Sequence, residues 1–333
     1  MQIDYLGRRD FLKYGLISSL FFLAGCSTSE KKLALRGVNN SFPNELISSL
    51  SSDWEFFPIE DIGSEKFPYN SSLKEKTDLL VLNDGWISEL QFDLIREIQA
   101  TNIREKLSNQ ANSFLRGLGK DYENKILPLA VSPWVILFRN EDSLALKNKN
   151  SWEVIFSDSL LNQIVFPSSP RLLISIAKKI GFSNELSKIK NQSKLFDDRN
   201  ALNWVVSGRA NAAILPLSNC VDNLFEDPRL SVLLPKEGSP LNWTVLASPT
   251  QSLAAFPSDW FDIFWGPVYS KRLRRKGFFP PTDFLELRRQ NIKVPKKYQS
   301  IFFPEKSTWN ECWSLPILSA KEKKDLALIW NET

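Results

Sequence analysis

The sequence predicts an α/β protein in which sheets of mainly parallel strands are covered by helices on both faces. Three observations support this class. Short apolar segments alternate with segments whose apolar residues recur at helical spacing. The 333 residues correspond to about two domains of roughly 150 residues each. A composition of 43% hydrophobic and 24% charged residues is typical of a globular protein.

The first half of the chain contains three predicted strands, at 33–38, 54–59 and 79–82. A proline-started helix is predicted between the first two strands, and another helix over 87–98. The apolar segment 126–138 contains Pro128 and Pro133, so it is predicted to form two extended pieces with a bend.

The second half continues the alternation. Strands are predicted at 163–166, 212–215, 230–234 and 243–247, and helices at 170–180, 201–206 and 260–273. The segment after Arg288 is rich in Lys and Trp with weak periodicity, and we expect it to wrap the surface.

The composition excludes several classes of chemistry. The chain has no histidine, which removes Ser-His-Asp triads, Cys-His pairs, HExxH zinc sites and histidine pH switches. With only three cysteines, a zinc site would need carboxylates to complete it. A net charge of +4 is too small to indicate nucleic acid as a partner. We therefore expect no enzyme, no cofactor and no metal.

Residues 1–25 have the features of an export signal. Gly7–Lys13 resembles the twin-arginine signal, and the uncharged stretch after it, at about 12 residues, is too short to span a ~30 Å hydrocarbon layer. Leu23–Cys26 resembles a bacterial lipobox, which implies cleavage before Cys26 and a lipid on its sulfur. Residues 26–32 then form a tether. The alternative is a buried apolar N-terminal helix with a chance cysteine.

Export would expose the remaining two cysteines to an oxidising compartment. Cys220 and Cys312 are therefore predicted either to form a disulfide or to be two buried thiols.

Six segments carry short motifs in a recognisable order: Leu33–Val38 with its following helix, 77–84, 126–140, Ser151-Trp152-Glu153, 163–181 and 234–243. Because of these motifs, the chain from about residue 32 to 281 resembles the type 2 periplasmic solute-binding proteins. Within that family it is most similar to the spermidine/putrescine-like branch. The twin-arginine translocase and an ABC permease would be its protein partners.

The resemblance implies a two-lobe periplasmic-binding-protein-like II fold, each lobe a mixed, mostly parallel sheet covered by helices, joined by two crossover strands. Residues 33–132 with 243–300 would form the first lobe, 133–242 the second, and 301–333 a C-terminal wrap. A small solute would bind between the lobes, which close on it. We expect a monomer that the lipid on Cys26 anchors at the periplasmic or extracytoplasmic face of a membrane.

Eight residues are candidates for contacting the solute: Asn39, Asn40, Ser41, Asp84, Trp86, Trp134, Ser218 and Trp243. Other roles stay open for some of them, namely hinge packing for the tryptophans Trp134 and Trp243 and a helix cap for Asp84. In the polyamine branch an acidic residue follows the return-strand tryptophan by two positions. Here Thr244 and Val245 follow Trp243, so that acid is missing.

The sequence thus predicts an extracytoplasmic solute-binding lipoprotein that delivers a small solute, with polyamine-like solutes as one class, to an ABC importer. The alternative is a non-transporting envelope lipoprotein that kept the fold as a sensor or scaffold. An oxyanion ligand also stays open, with Ser41 and Ser168-Ser169 at helix starts. The basic run Lys271–Lys276 is either a solvated helix end or a surface for anionic lipid or an acidic permease loop.

Overall fold

The computed structural model describes residues 32–38, 42, 44–59, 76–139, 150–181, 186–283 and 292–332. The strands are β1 (Leu33–Val38), β2 (Trp54–Ile59), β3 (Leu79–Asn83), β4 (Ile95–Arg96), β5 (Ile126–Arg139), β6 (Ile164–Phe166), β7 (Ser193–Phe196), β8 (Ala212–Pro216), β9 (Leu230–Leu233), β10 (Pro240–Pro249) and β11 (Trp313–Ser314). The α-helices are α1 (Asn44–Ser48), α2 (Thr101–Arg104), α3 (Asn109–Gly117), α4 (Pro170–Lys179), α5 (Leu186–Gln192), α6 (Ala201–Val206), α7 (Val221–Glu226), α8 (Ser258–Phe264), α9 (Pro267–Arg275), α10 (Gln299–Phe302), α11 (Lys306–Asn310) and α12 (Ala320–Glu332).

The 14-residue strand β5 connects two groups of strands. Its first half pairs antiparallel with β10, and its second half lies between β8 and β9. The two predicted pieces form one continuous strand, which accommodates both prolines. Pro128 sits at a register shift, where Leu129 has no partner on β10, and the pairing partner changes after Pro133.

The sheet order is β2-β1-β3-β10-β5-β8-β6-β7. The outer groups β2-β1-β3 and β8-β6-β7 are parallel, whereas β10 and β5 join them through antiparallel pairs. This mixed α/β sheet covered by helices confirms the predicted fold class. The predicted lobe bounds stay a prediction, because the pairing is continuous from β2 to β7.

The strand directions bring two sets of strand ends towards each other. β3 runs in the same direction as β5, and β8 runs against it. Asn83 at the end of β3 pairs with Thr244 of β10, and Thr244 pairs on its other side with Ala130 of β5. Pro216 at the end of β8 pairs with Trp134 of β5. The two ends are therefore separated by four residues of β5, about 13 Å at ~3.3 Å per residue.

Helices cover both faces of the second half of β5. Ile136 and Phe138 contribute to a smaller hydrophobic cluster with α4 and α5, while Val135 and Leu137 belong to the larger cluster, which also contains residues of α6 and α7. This alternation follows from the two-residue period of a strand. Strands buried on both faces explain the uninterrupted apolar runs of the sequence.

Two predicted helices are wrong in extent. The segment 87–98 forms 3₁₀ turns at Asp84–Glu89 and Phe92–Leu94 and then β4, because Arg96 pairs with Ser248 of β10 and donates from Nε to the Ser248 hydroxyl at 2.9 Å. The predicted helix over 260–273 is two helices, α8 and α9. The break falls at Gly266-Pro267, where proline cannot continue the preceding helix.

The C-terminal segment contributes to the core as well as to the surface. Tyr298, Phe302 and Trp309 are buried, and the Tyr298 hydroxyl donates to the Leu224 carbonyl at 2.7 Å. Helix α12 then links distant parts of the chain, since Lys323 pairs with Glu89 at 2.6 Å. Among the described residues, no helix has both the length and the apolar character needed to cross a membrane.

The basic run is not uniformly solvated. Arg274 is 1% exposed, donates to the Phe302 carbonyl at 2.7 Å and lies 4.6 Å from the centroid of the Phe303 ring. Burial lowers its pKa to about 10. Arg274 is therefore a packing residue between α9 and the C-terminal segment, whereas Arg272 and Arg275 are exposed.

The two described cysteines are free thiols, and both are buried. Burial raises the pKa of both, that of Cys312 to about 12. They are thus poorly reactive, which agrees with the buried-thiol alternative.

The loop before β10 depends on Gly238. This glycine has a φ of +78°, and a Cβ there would lie 2.2 Å from the Glu311 carbonyl carbon. Its carbonyl accepts a hydrogen bond from the indole of the buried Trp152 at 2.8 Å. The backbone at Gly238 therefore packs directly against the backbone of the C-terminal segment at Glu311.

We predict that Gly238→Ala lowers the free energy of unfolding by about 2–4 kcal/mol, from left-handed backbone strain and a backbone clash. Gly181→Ala is the matched control, since Gly181 has a φ of +81° but no atom within 4 Å of its Cβ position. Urea unfolding measures both variants. Equal losses would contradict the clash.

Candidate functional site

Asp84 lies where β3 ends, as the first residue of the 3₁₀ turn. One of its carboxylate oxygens accepts the backbone N–H of Trp243 at 3.3 Å, so the neighbouring β10 holds it in place. Burial raises the pKa of Asp84 to about 7, against the opposing effects of the Arg171 charge and of backbone N–H groups. An aspartate that is partly protonated near neutral pH responds strongly to a charged neighbour.

Arg171 approaches Asp84 from the other group of strands. It is the second residue of α4, which follows β6. Burial lowers the pKa of the Arg171 guanidinium, and the Asp84 charge opposes this. The two side chains interact electrostatically without a direct ion pair, and the Arg171 Nε is buried without a hydrogen-bond partner among the described residues.

Two more buried polar atoms without such a partner border Asp84: Asn83 Oδ1 on β3 and Thr244 Oγ1 on β10. Asn83 and Thr244 are directly opposite each other in the sheet. A buried polar atom without a hydrogen bond costs about 1–3 kcal/mol. The strand ends beside Asp84 therefore contain polar groups whose hydrogen-bonding capacity is unused among the described residues.

The Trp243 indole is used for packing. It is 1% exposed, stacks on Phe114 with ring centroids 4.8 Å apart, and donates to the Ser314 hydroxyl at 2.8 Å. Only the backbone N–H of this predicted site residue contacts Asp84. Val245, which stands where the polyamine branch has its acid, is fully buried in the sheet.

The other described candidates have packing contacts or hydrogen bonds of their own. Trp86 and Trp134 are half-buried, against the larger and the smaller hydrophobic cluster respectively. Ser218 follows β8, and its backbone N–H donates to the Ser132 hydroxyl at 3.0 Å. Asn39, Asn40, Ser41 and Cys26 lie outside the described residues.

A separate hollow of about 490 Å³ lies between α3 and the C-terminal segment. None of the predicted site residues lines it. Its wall consists of Asn109, Gln110, Ser113, Phe114, Leu241, Asn310, Cys312, Trp313 and Ser314. Within the described ranges, no group of three or more acidic or cysteine residues is placed to hold a metal ion.

Sequence reasoning missed Arg171. It had identified Ser168-Ser169 and the helix start at Pro170, yet not the next residue. An arginine in the first turn faces the positive end of the helix dipole, which is unfavourable without a compensating negative charge. A cation in this first turn, five residues after the end of β6, was the available signal.

Structural comparisons agree on the fold. The spermidine/putrescine substrate-binding protein PotD from Streptococcus pneumoniae is similar with a TM-score of 0.66 and 13% identity, over 91% of this chain and 99% of that one. The Tp0655 lipoprotein of Treponema pallidum gives 0.62 and 13%, over 90% and 98%. The apo ferric ion-binding protein A of Pasteurella haemolytica gives 0.61 and 10%, over 91% and 97%. No protein-family model and no curated protein matches the sequence.

We predict that Asp84→Asn removes a pH-dependent cost of folding. With a pKa raised from 3.8 to about 7, the folded protein binds more protons than the unfolded chain between these values. Its free energy of unfolding therefore falls as pH rises from about 4 to about 7, by up to about 4 kcal/mol at 1.36 kcal/mol per pKa unit.

Urea unfolding at several pH values tests this. The stability of Asp84→Asn relative to the wild type should rise from about pH 4 to about pH 7 and then level off. The exposed Asp158→Asn is the control. A constant difference between the wild type and Asp84→Asn would contradict the buried carboxyl.

Proposed function

We propose that this protein is an extracytoplasmic solute-binding protein that takes a small polar solute between its two groups of strands and delivers it to an ABC importer. One observation carries the proposal. The ends of β3 and β8 point towards each other across about four residues of β5, about 13 Å. Ligands of open α/β sheets bind beyond the carboxyl ends of strands.

The charges at this edge suit a polar solute. Asp84 and Arg171 offer one group of each charge. The three structures compared above are named as binding proteins or as a lipoprotein. Closure would bring 33–132 with 243–300 towards 133–242 about the strands at 132–133 and 242–243.

Thermal unfolding in the presence of diamines, amino acids, sugars and oxyanions tests the binding role. A solute at 100 times its dissociation constant should stabilise the protein by about 2.7 kcal/mol. The same solute should stabilise Asp84→Asn less, while the exposed Asp158→Asn should behave as the wild type. Stabilisation by none of these classes would refute the proposal.

Export and anchoring belong to the same proposal. Arg8-Arg9 would direct the chain to the twin-arginine translocase, and the lipid on Cys26 would hold the mature monomer at the periplasmic or extracytoplasmic face of a membrane. Stable anchoring takes two or more acyl chains, since one chain alone binds marginally.

Replacing Cys26 tests the anchor. We predict that Cys26→Ala moves the protein from the membrane fraction to the soluble fraction and abolishes incorporation of labelled fatty acid. Cys220→Ala, at a buried thiol, should leave both unchanged. Lipid labelling of Cys26→Ala would contradict the assignment.

A further inference from the structure

We propose that the solute carries both an ammonium and a carboxylate group, with the ammonium bound at Asp84 and the carboxylate at Arg171. This inference rests on the proposed solute-binding function and names the class of solute. It differs from the polyamine expectation, which requires only acidic and aromatic partners.

The first step is the position of the two charges. Asp84 follows β3, which lies in the parallel group with β1 and β2, and Arg171 follows β6 in the opposite group. Each side chain thus belongs to one of the two sets of strand ends that face each other. A solute held by both would connect the two sets.

The second step is that the two charges interact electrostatically but share no hydrogen bond or ion pair. Among the described residues, Asp84 accepts only backbone hydrogen bonds, from Trp243 and others, and it forms no direct ion pair with Arg171. The Arg171 Nε has no partner among the described residues and is buried. A guanidinium presents several N–H donors in a planar fork that fits a carboxylate.

The third step concerns a ligand with two cationic ends. Arg171 would repel the second ammonium group of a diamine, since it stays charged at neutral pH. Among the described residues next to Asp84, Asn83 and Thr244 are neutral. The carboxylates that follow β7, Asp197 and Asp198, already accept backbone N–H groups of Arg199, Asn200 and Ser168. The Asp84 carboxylate would likewise repel the second carboxylate of a dicarboxylate. A solute with one ammonium and one carboxylate group can pair with both Asp84 and Arg171.

The experiment compares solutes that differ only in their end groups. Isothermal titration of the whole protein uses α,ω-diamines, ω-amino acids and α,ω-dicarboxylates of two to six carbons, with α-amino acids as a further set. We expect an amino acid to bind more tightly than the diamine and the dicarboxylate of the same length. A diamine or dicarboxylate that binds more tightly than every amino acid would overturn the inference and leave the solute-binding function standing.

Two variants separate the charges. Arg171→Gln should weaken amino acid binding about 10–150-fold, the value of one charge-assisted hydrogen bond, and shift the preference towards diamines. Asp84→Asn should weaken it similarly and shift the preference towards dicarboxylates. Arg209→Gln, at an exposed arginine, is the control.

These opposite shifts are the decisive readout, because a structural defect would weaken all solutes alike. Uniform weakening in both variants would overturn the assignment of the two charges. Binding of no solute of any class would instead refute the proposed function itself.

Discussion

The antiparallel pairing of β5 with β10 is the constraint on which the rest of the structure depends. Without it the two parallel groups of strands would not be connected in one sheet, since the first group joins β10 and the second joins β5. The pairing sets the direction of β8 against β3, and so turns both sets of strand ends towards the same gap. It also brings the Trp243 backbone to Asp84. The sheet that holds the molecule together thereby also defines its candidate site.

The site itself is an electrostatic arrangement more than an aromatic one. The half-buried Asp84 carboxyl, whose pKa is about 7, interacts electrostatically with the half-buried Arg171 guanidinium, whose pKa burial lowers. Each charge is costly to remove from water, and each reduces the cost of the other. The Trp243 indole, a candidate solute contact in the sequence, stacks on Phe114 of α3 and donates to the Ser314 hydroxyl. Its contribution to the site is a backbone N–H.

Local patterns predicted most strands well, because strands buried on both faces are continuous apolar runs. They failed where distant residues decided the conformation. Arg96 joins β10 through Ser248, which prevents the helix expected over 87–98. Arg274 looked like part of a solvated basic run, yet the C-terminal segment covers it. The sequence identified Asp84 as a candidate because it directly follows a predicted strand. It did not identify Arg171, because Asp84, with which Arg171 interacts, lies 87 residues earlier in the chain.

The amino-acid sequence by itself determined the α/β class, the absence of histidine chemistry, the order of most elements and the expectation of an exported lipoprotein. These follow from composition, from periodicity and from short motifs that act locally. Only the tertiary structure decided which charges meet, which tryptophan is packed and which cysteines are buried. The reason is that strand pairing joins residues far apart in the chain, and the pairing partner, not the local pattern, sets each side chain's surroundings.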